Sequence, residues 1–339
     1  MKILRTAKDI CLLCQLNPAD KTGSHFTPAG IIKRVIGERD YEEIYTISAH
    51  SATTSTYFGR SNLLNTDPDI KKPEHTADYV FCSSCEKKLG AIESECNHTL
   101  IVLTDKLSAG SLNIERTSKG NKFFKFNNPG KKTLALFFYS IIWRQCLLHS
   151  LESGNNIISA PFEDELRQLI FNNINKSKKD IEESYEFENY PKLILLTTYH
   201  KGDNTNNFIN PNTSASNPEL FFIGPYNALI LHSPKLFTNF EVKTGLPLSI
   251  IDKELSINLS PESIIAVINE AAWKKVTTTL IKRESEKFLH TMTSALSNKK
   301  RMPYFYCRQR LHVAAHQFLN QYPDDYIRCL HIAFQLLMR

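Results

Sequence analysis

Two short cysteine pairs, Cys11-Leu12-Leu13-Cys14 and Cys82-Ser83-Ser84-Cys85, constrain this chain more than any other feature. A Cys-x-x-Cys turn aims two sulfurs at one point, and two such turns supply the four soft ligands of a closed tetrahedral zinc site. The fold must therefore bring residues far apart in sequence around a single ion. With every coordination position taken by sulfur, such a zinc holds structure together and activates no water. Cys96, Cys146, Cys307 and Cys329 have no partner at ligand spacing and read as small core residues.

The background to these pairs is that of a globular protein. Of 339 residues 42% are hydrophobic and 22% charged, which excludes disordered, collagenous and rod-like chains. Two or three packed units are expected at this length. No stretch reaches the roughly 20 apolar residues that cross a bilayer; the longest run, Leu134 to Trp143, ends at Arg144 and Gln145. Residues 1–9 are mixed and charged, so we expect a cytoplasmic protein without a membrane partner, in a compartment where cysteines serve as ligands rather than disulfides. Phosphate-binding loops, a dinucleotide fingerprint and a Gly-x-Ser-x-Gly elbow are absent, which argues against nucleotide-driven and serine-hydrolase chemistry.

The elements read as α+β in three segments. Residues 1–105 form the zinc-binding module, built of short elements around the cysteine pairs, with exposed Ser/Thr-rich (48–56) and Pro/Asp/Lys-rich (65–75) loops. Residues 106–260 combine helices and a small antiparallel sheet. A buried helix covers 132–151, a second helix 162–174 and a polar run, a solvated loop or helix end, 175–188. Short strands fall at 192–199, 220–223, 228–232 and 235–242, with a loop at 201–217. Residues 261–339 form a basic helical segment, in which Ser260-Pro261-Glu262 is expected to open a helix running to about 296, followed by helices near 306–319 and 326–338. This last segment holds 12 basic and 6 acidic side chains, the whole net excess of the chain (+6).

Ten residues after the first knuckle, counted from Cys14 to Ser24, stands Gly23-Ser24-His25-Phe26-Thr27-Pro28. A histidine so placed can act as a general base or hold a divalent ion. The order Cys11-x-x-Cys14, Ser24-His25-x-x-Pro28, Phe81-Cys82-x-x-Cys85-Glu86-x-x-Leu89 resembles the zinc-knuckle variety of the HNH (ββα-metal, treble-clef) endonucleases, in particular a bacterial group of uncharacterised proteins sharing these motifs. The resemblance covers about residues 8–95, with a weaker echo in Ile142-Trp143-Arg144 and Glu163-Asp164-Glu165-Leu166-Arg167. It implies that the four cysteines hold structural zinc, that His25 is the catalytic histidine, and that the setting is bacterial or antiviral defence or a mobile element. Ser24 stands where that family usually has Asp, and Glu86 where it usually has His or Asn. The Asn-Leu step normally just ahead of the second knuckle lies earlier, at Asn62-Leu63. His25, Glu86 and Asn62 are the candidate catalytic residues, with His75 a further one; a carboxylate such as Glu86 suits Mg²⁺ or another hard divalent ion. The alternative is an inactive zinc scaffold for protein–protein interaction, in which His25 only stabilises a turn.

Asn298 to Arg310 interleaves Lys299, Lys300, Arg301, Arg308 and Arg310 with Tyr304, Phe305 and Tyr306 and contains no acid. Cations among aromatics suit a nucleic-acid partner, its backbone and its bases; the plain reading is a solvated helix junction. His312 and His316, four apart, read as a packed or surface pair. Trp143 and Arg144 are expected to anchor the middle region on the zinc module, with Arg144 paired to an acid such as Glu163.

Overall fold

The structure, a computed structural model, describes residues 5–36, 43–46, 54–57, 76–109, 112–118, 120–126, 130–187, 192–198, 209–211, 219–224, 226–231, 257, 262–268, 286, 289–319 and 326–338. It is an α+β protein of two compact units, 1–273 and 274–339, against the three segments expected from composition.

The first unit begins with strand β1 (Ser24–His25), helix α1 (Ala29–Ile36), the hairpin β2 (Glu43–Thr46) and β3 (Thr54–Tyr57), strand β4 (Thr76–Ala77) and helix α2 (Ser83–Ser108). Strands β1 and β4 pair antiparallel, with His25 opposite Thr76. Residues 26–75 are thus an insertion between two paired strands, and the helix follows directly. Where sequence composition implied only short elements, α2 is one helix of 26 residues. Its stripe Leu89, Ile92, Cys96, Leu100 and Leu103 is buried at helical spacing.

After the helix come β5 (Glu115–Arg116), β6 (Lys122–Phe126), α3 (Lys131–Ser153), α4 (Ala160–Asn173), α5 (Lys178–Glu183), β7 (Lys192–Thr198), β8 (Ile209–Pro211), β9 (Glu219–Ile223), β10 (Tyr226–Leu231) and β11 (Ser263–Ile268). The sheet is larger than expected and mixed rather than antiparallel. Its seven strands run β5-β6-β11-β7-β10-β9-β8, and β11 lies parallel to β7.

Two further expectations are corrected here. Ser260-Pro261-Glu262 opens no helix: Ser263–Ile268 is a strand between β6 and β7, because the run Ile-Ile-Ala-Val-Ile is apolar and β-branched on both faces, which suits a central strand. Nor is 175–188 only a loop or helix end. Ser177 and Asp180 form a reciprocal capping box that starts α5. The expected strand at 235–242 lies outside the described residues.

Helix α3 is the centre of this unit, buried from Lys132 to Leu147. Among the described residues it is the one helix long and apolar enough to cross a membrane, and 78% of its apolar window is covered by the fold. Its first turn lacks a side-chain cap of its own. Glu182 of α5 supplies one, accepting from Lys132 N (3.2 Å), Thr133 N (2.8 Å) and Thr133 Oγ1 (2.6 Å). Gly130, at φ 126, allows that approach, since a Cβ there would lie 2.5 Å from Glu182 Oε1. One apolar cluster runs from Cys11 and Phe81 through α3 to Ile265 of β11, so the cysteine module and the sheet share a core.

The second unit packs helical residues 289–300 with α6 (Tyr304–Gln317) and α7 (Tyr326–Met338) around Leu289, Met292, Leu311, Ala315, Cys329, Leu330 and Ala333. Placing the division at 274 concentrates the charge: 274–339 carries 12 basic and 4 acidic side chains, a net +8, and the rest of the chain is left at −2.

Candidate functional site

The first knuckle is a tight loop. Residues Ile10 and Pro18 form its bridge, Cys11 N donates to Asn17 O at 2.8 Å, and Gln15 N returns to Cys11 O at 2.9 Å with Gln15 at φ 55. The second pair belongs to the start of α2: Cys82 precedes it and Cys85 lies in its first turn. Backbone bonds from Leu12 N to Val80 O (3.0 Å), Tyr79 N to Lys21 O (2.7 Å) and Lys21 N to Phe81 O (3.2 Å) lay one knuckle beside the other. Asp20 then fastens the helix start by accepting from Ser83 N (2.7 Å) and Ser83 Oγ (3.1 Å), bonds that hold its carboxyl below the usual range.

This brings all four sulfurs within 4.8 Å of one another, each cysteine buried. Cys14 Sγ and Cys82 Sγ are 3.9 Å apart. A tetrahedron with metal–sulfur bonds of about 2.3 Å has edges of about 3.8 Å, so the spacing fits zinc. The electrostatics agree. The hydrogen bond from Cys85 pulls the Cys11 thiol down to about 4, while that same contact raises Cys85 and burial raises Cys82. One thiolate thus suppresses the next, and ionising all four requires a cation between them.

His25, on β1, is held at its backbone. Its carbonyl oxygen accepts from Arg144 Nη1 at 2.9 Å, and its amide lies against the Glu86 carboxyl. Burial lowers the His25 pKa, Glu93 opposes that, and Arg144 and Lys21 add to it, leaving a neutral imidazole able to accept a proton. Burial raises the Glu86 pKa; Arg144, the Ser24 hydroxyl and the His25 amide lower it, and Glu93 raises it again. The Ser24 approach falls short of a hydrogen bond, for Ser24 Oγ and Glu86 Oε2 are both buried without one. Glu86 therefore meets the backbone of His25. Among the described residues the four cysteines are the one set of three or more His, Cys, Asp or Glu side chains that converge closely enough for a metal ion. Asn62 and His75 lie outside the described residues.

Arg144 is the organiser of this cluster. It is 1% exposed on α3, and its partner is Glu93 (2.7 Å), not the Glu163 expected from sequence. Two of its nitrogens also reach Ser140, through the carbonyl (3.1 Å) and the hydroxyl (3.3 Å). Arg167 of α4 makes a parallel contact, donating to Leu13 O inside the first knuckle at 2.9 Å while pairing with Asp164. Trp143 packs on Phe81 with ring centroids 5.8 Å apart, as an anchor between α3 and the cysteine module should. Glu93 was missed by sequence reasoning; its signal was the seven-residue step from Glu86, which puts both acids on one face of α2.

The basic segment lies in the second unit. Lys299, Lys300 and Arg301 close the helical residues 289–300 and begin a turn in which Ser297 Oγ donates to Met302 O (2.6 Å). Arg308 is tied to Glu286, Lys299 Nζ donates to Met338 O at 2.8 Å, and the Arg310 guanidinium lies 5.8 Å from the Tyr306 ring centre. His312 and His316 are exposed, edge to face at 4.5 Å.

Compared with known proteins, the chain matches no family, no curated protein and no solved structure.

Proposed function

We propose that this chain is an HNH-like zinc protein that binds nucleic acid and cleaves it with His25 as general base. What carries the reading is the order of elements at the cysteine cluster: two antiparallel strands, then a helix, with His25 on the first strand and the second cysteine pair at the helix start. Most of the long spacer between the knuckles falls between the paired strands and leaves that order intact. The four cysteines would hold zinc as a closed structural site. His25, neutral and fixed at both its amide and its carbonyl, would take the proton of an attacking water. A hard divalent ion, if bound near His25, would stabilise charge on the phosphodiester. The second unit, at +8, would hold the polyanion.

A second reading has an observation of its own. The Glu86 carboxylate is engaged by the backbone of His25, and among the described residues the four cysteines are the one converging set of metal-ligating side chains, which favours an inactive zinc scaffold. Incubating plasmid DNA and RNA with the protein in Mg²⁺, Mn²⁺ or Zn²⁺ decides between the two. Metal-dependent products that disappear in His25→Ala support the enzyme; no products under any of these metals would leave the scaffold.

A further inference from the structure

We infer that the second unit is a stacking platform for single-stranded nucleic acid, centred on Phe305 and Tyr306. The inference rests on the proposed nucleic-acid reading and names the form of the partner. Phe305 leaves 77% of its surface in solvent and Tyr306 48%, at the start of α6. Exposed aromatics of this size at neighbouring positions suit a contact surface, and neither ring belongs to the apolar cluster that the unit's described residues form. Their surroundings select the partner. Lys299, Lys300 and Arg301 come just before them, Arg310 lies over the Tyr306 ring, and no acid occurs from Asn298 to Arg310.

A unit with net +8, in a chain whose remainder carries −2, attracts a polyanion. Duplex DNA would satisfy the cations but keeps its bases stacked inside, leaving both rings without a use. Unpaired bases offer π faces to the rings while their phosphates meet the lysines and arginines. An acidic protein surface would use the same cations without needing flat aromatic partners.

The test uses the full-length, zinc-loaded protein and fluorescence anisotropy with a labelled single strand of roughly 16 nucleotides, a generous site size, and with its duplex. Expected are tighter binding of the single strand, by roughly tenfold or more, and a matching loss in the double variant Phe305→Ala, Tyr306→Ala. Lys300→Gln with Arg301→Gln should instead flatten the salt dependence for both forms. Circular dichroism confirms that the exposed substitutions leave the fold unchanged. Equal affinity for strand and duplex, or an unaltered double variant, would overturn the platform while leaving nucleic-acid binding in place. No salt-dependent binding of either form would remove both, and capture of an acidic polypeptide with the same dependence on Lys300 and Arg301 would replace the partner.

Discussion

Arg144 Nη1 donates to the carbonyl oxygen of His25 at 2.9 Å and meets Glu93 Oε1 at 2.7 Å. A single guanidinium from the central helix thus joins β1, the strand carrying the candidate base, to helix α2. A charge buried to this depth needs both a counter-ion and hydrogen-bond acceptors, and Glu93, His25 O and Ser140 supply them.

Removing that charge should be costly. Arg144→Met leaves Glu93, 18% exposed, without its partner and should lower stability by about 3 kcal/mol or more. Arg144→Lys retains charge but not the planar fork, and about 1–2 kcal/mol is expected. Denaturant unfolding measures both; equal losses would show that the retained charge contributes nothing and that the geometry of the planar fork decides.

Zinc should prove stoichiometric and structural. Elemental analysis should find one zinc per chain, and Cys11→Ser or Cys82→Ser should abolish it. A structural zinc site contributes on the order of 10 kcal/mol to folding, so strong chelation should lower the melting temperature of the first unit steeply. A metal-free preparation with an unchanged melting curve would refute the site.

The start of α3 depends on a glycine. Gly130→Ala meets both a φ of 126 and a Cβ 2.5 Å from Glu182 Oε1, so a loss of about 1–3 kcal/mol is expected. Glu182→Gln keeps the shape and weakens the cap, at about 1 kcal/mol. The melting temperatures of the two variants should fall in that order.

Acid should weaken the first unit through its histidines. Burial lowers the pKa of His149 and of His25. Protons then bind the unfolded chain first, so stability holds above the ordinary histidine value near 6.5 and is lost as pH falls below it. His149→Gln should remove part of that slope. Because acid also releases zinc from thiolates, the comparison is the difference in unfolding free energy between His149→Gln and the parent at pH about 7.5 and about 5.5; a difference independent of pH would refute it.

Much of the local structure is written in local signals. The apolar run through Trp143 is α3, Pro161 with its acidic first turn is α4, and the four sulfurs at Cys-x-x-Cys spacing do converge. Local signals misled where they competed with burial. Ser260-Pro261-Glu262 has the grammar of a helix start, yet the next six residues fill a central strand, because β6 and β7 cover both its edges and its apolar faces are needed in the core. The partner of Arg144 was misread for a related reason. Glu163 is nearer in sequence, whereas Glu93 is brought in by the packing of α2 on α3.

The sequence by itself determined the ligand chemistry, the buried helix and the cationic C-terminal segment, because each depends on residue type at short spacing. Tertiary structure alone decided that residues 26–75 are an insertion within a strand pair, that Arg144 answers to Glu93 and His25, and that the charge separates at residue 274. These are contacts between segments tens of residues apart, and their energies come from burial and charge pairing that no local pattern records.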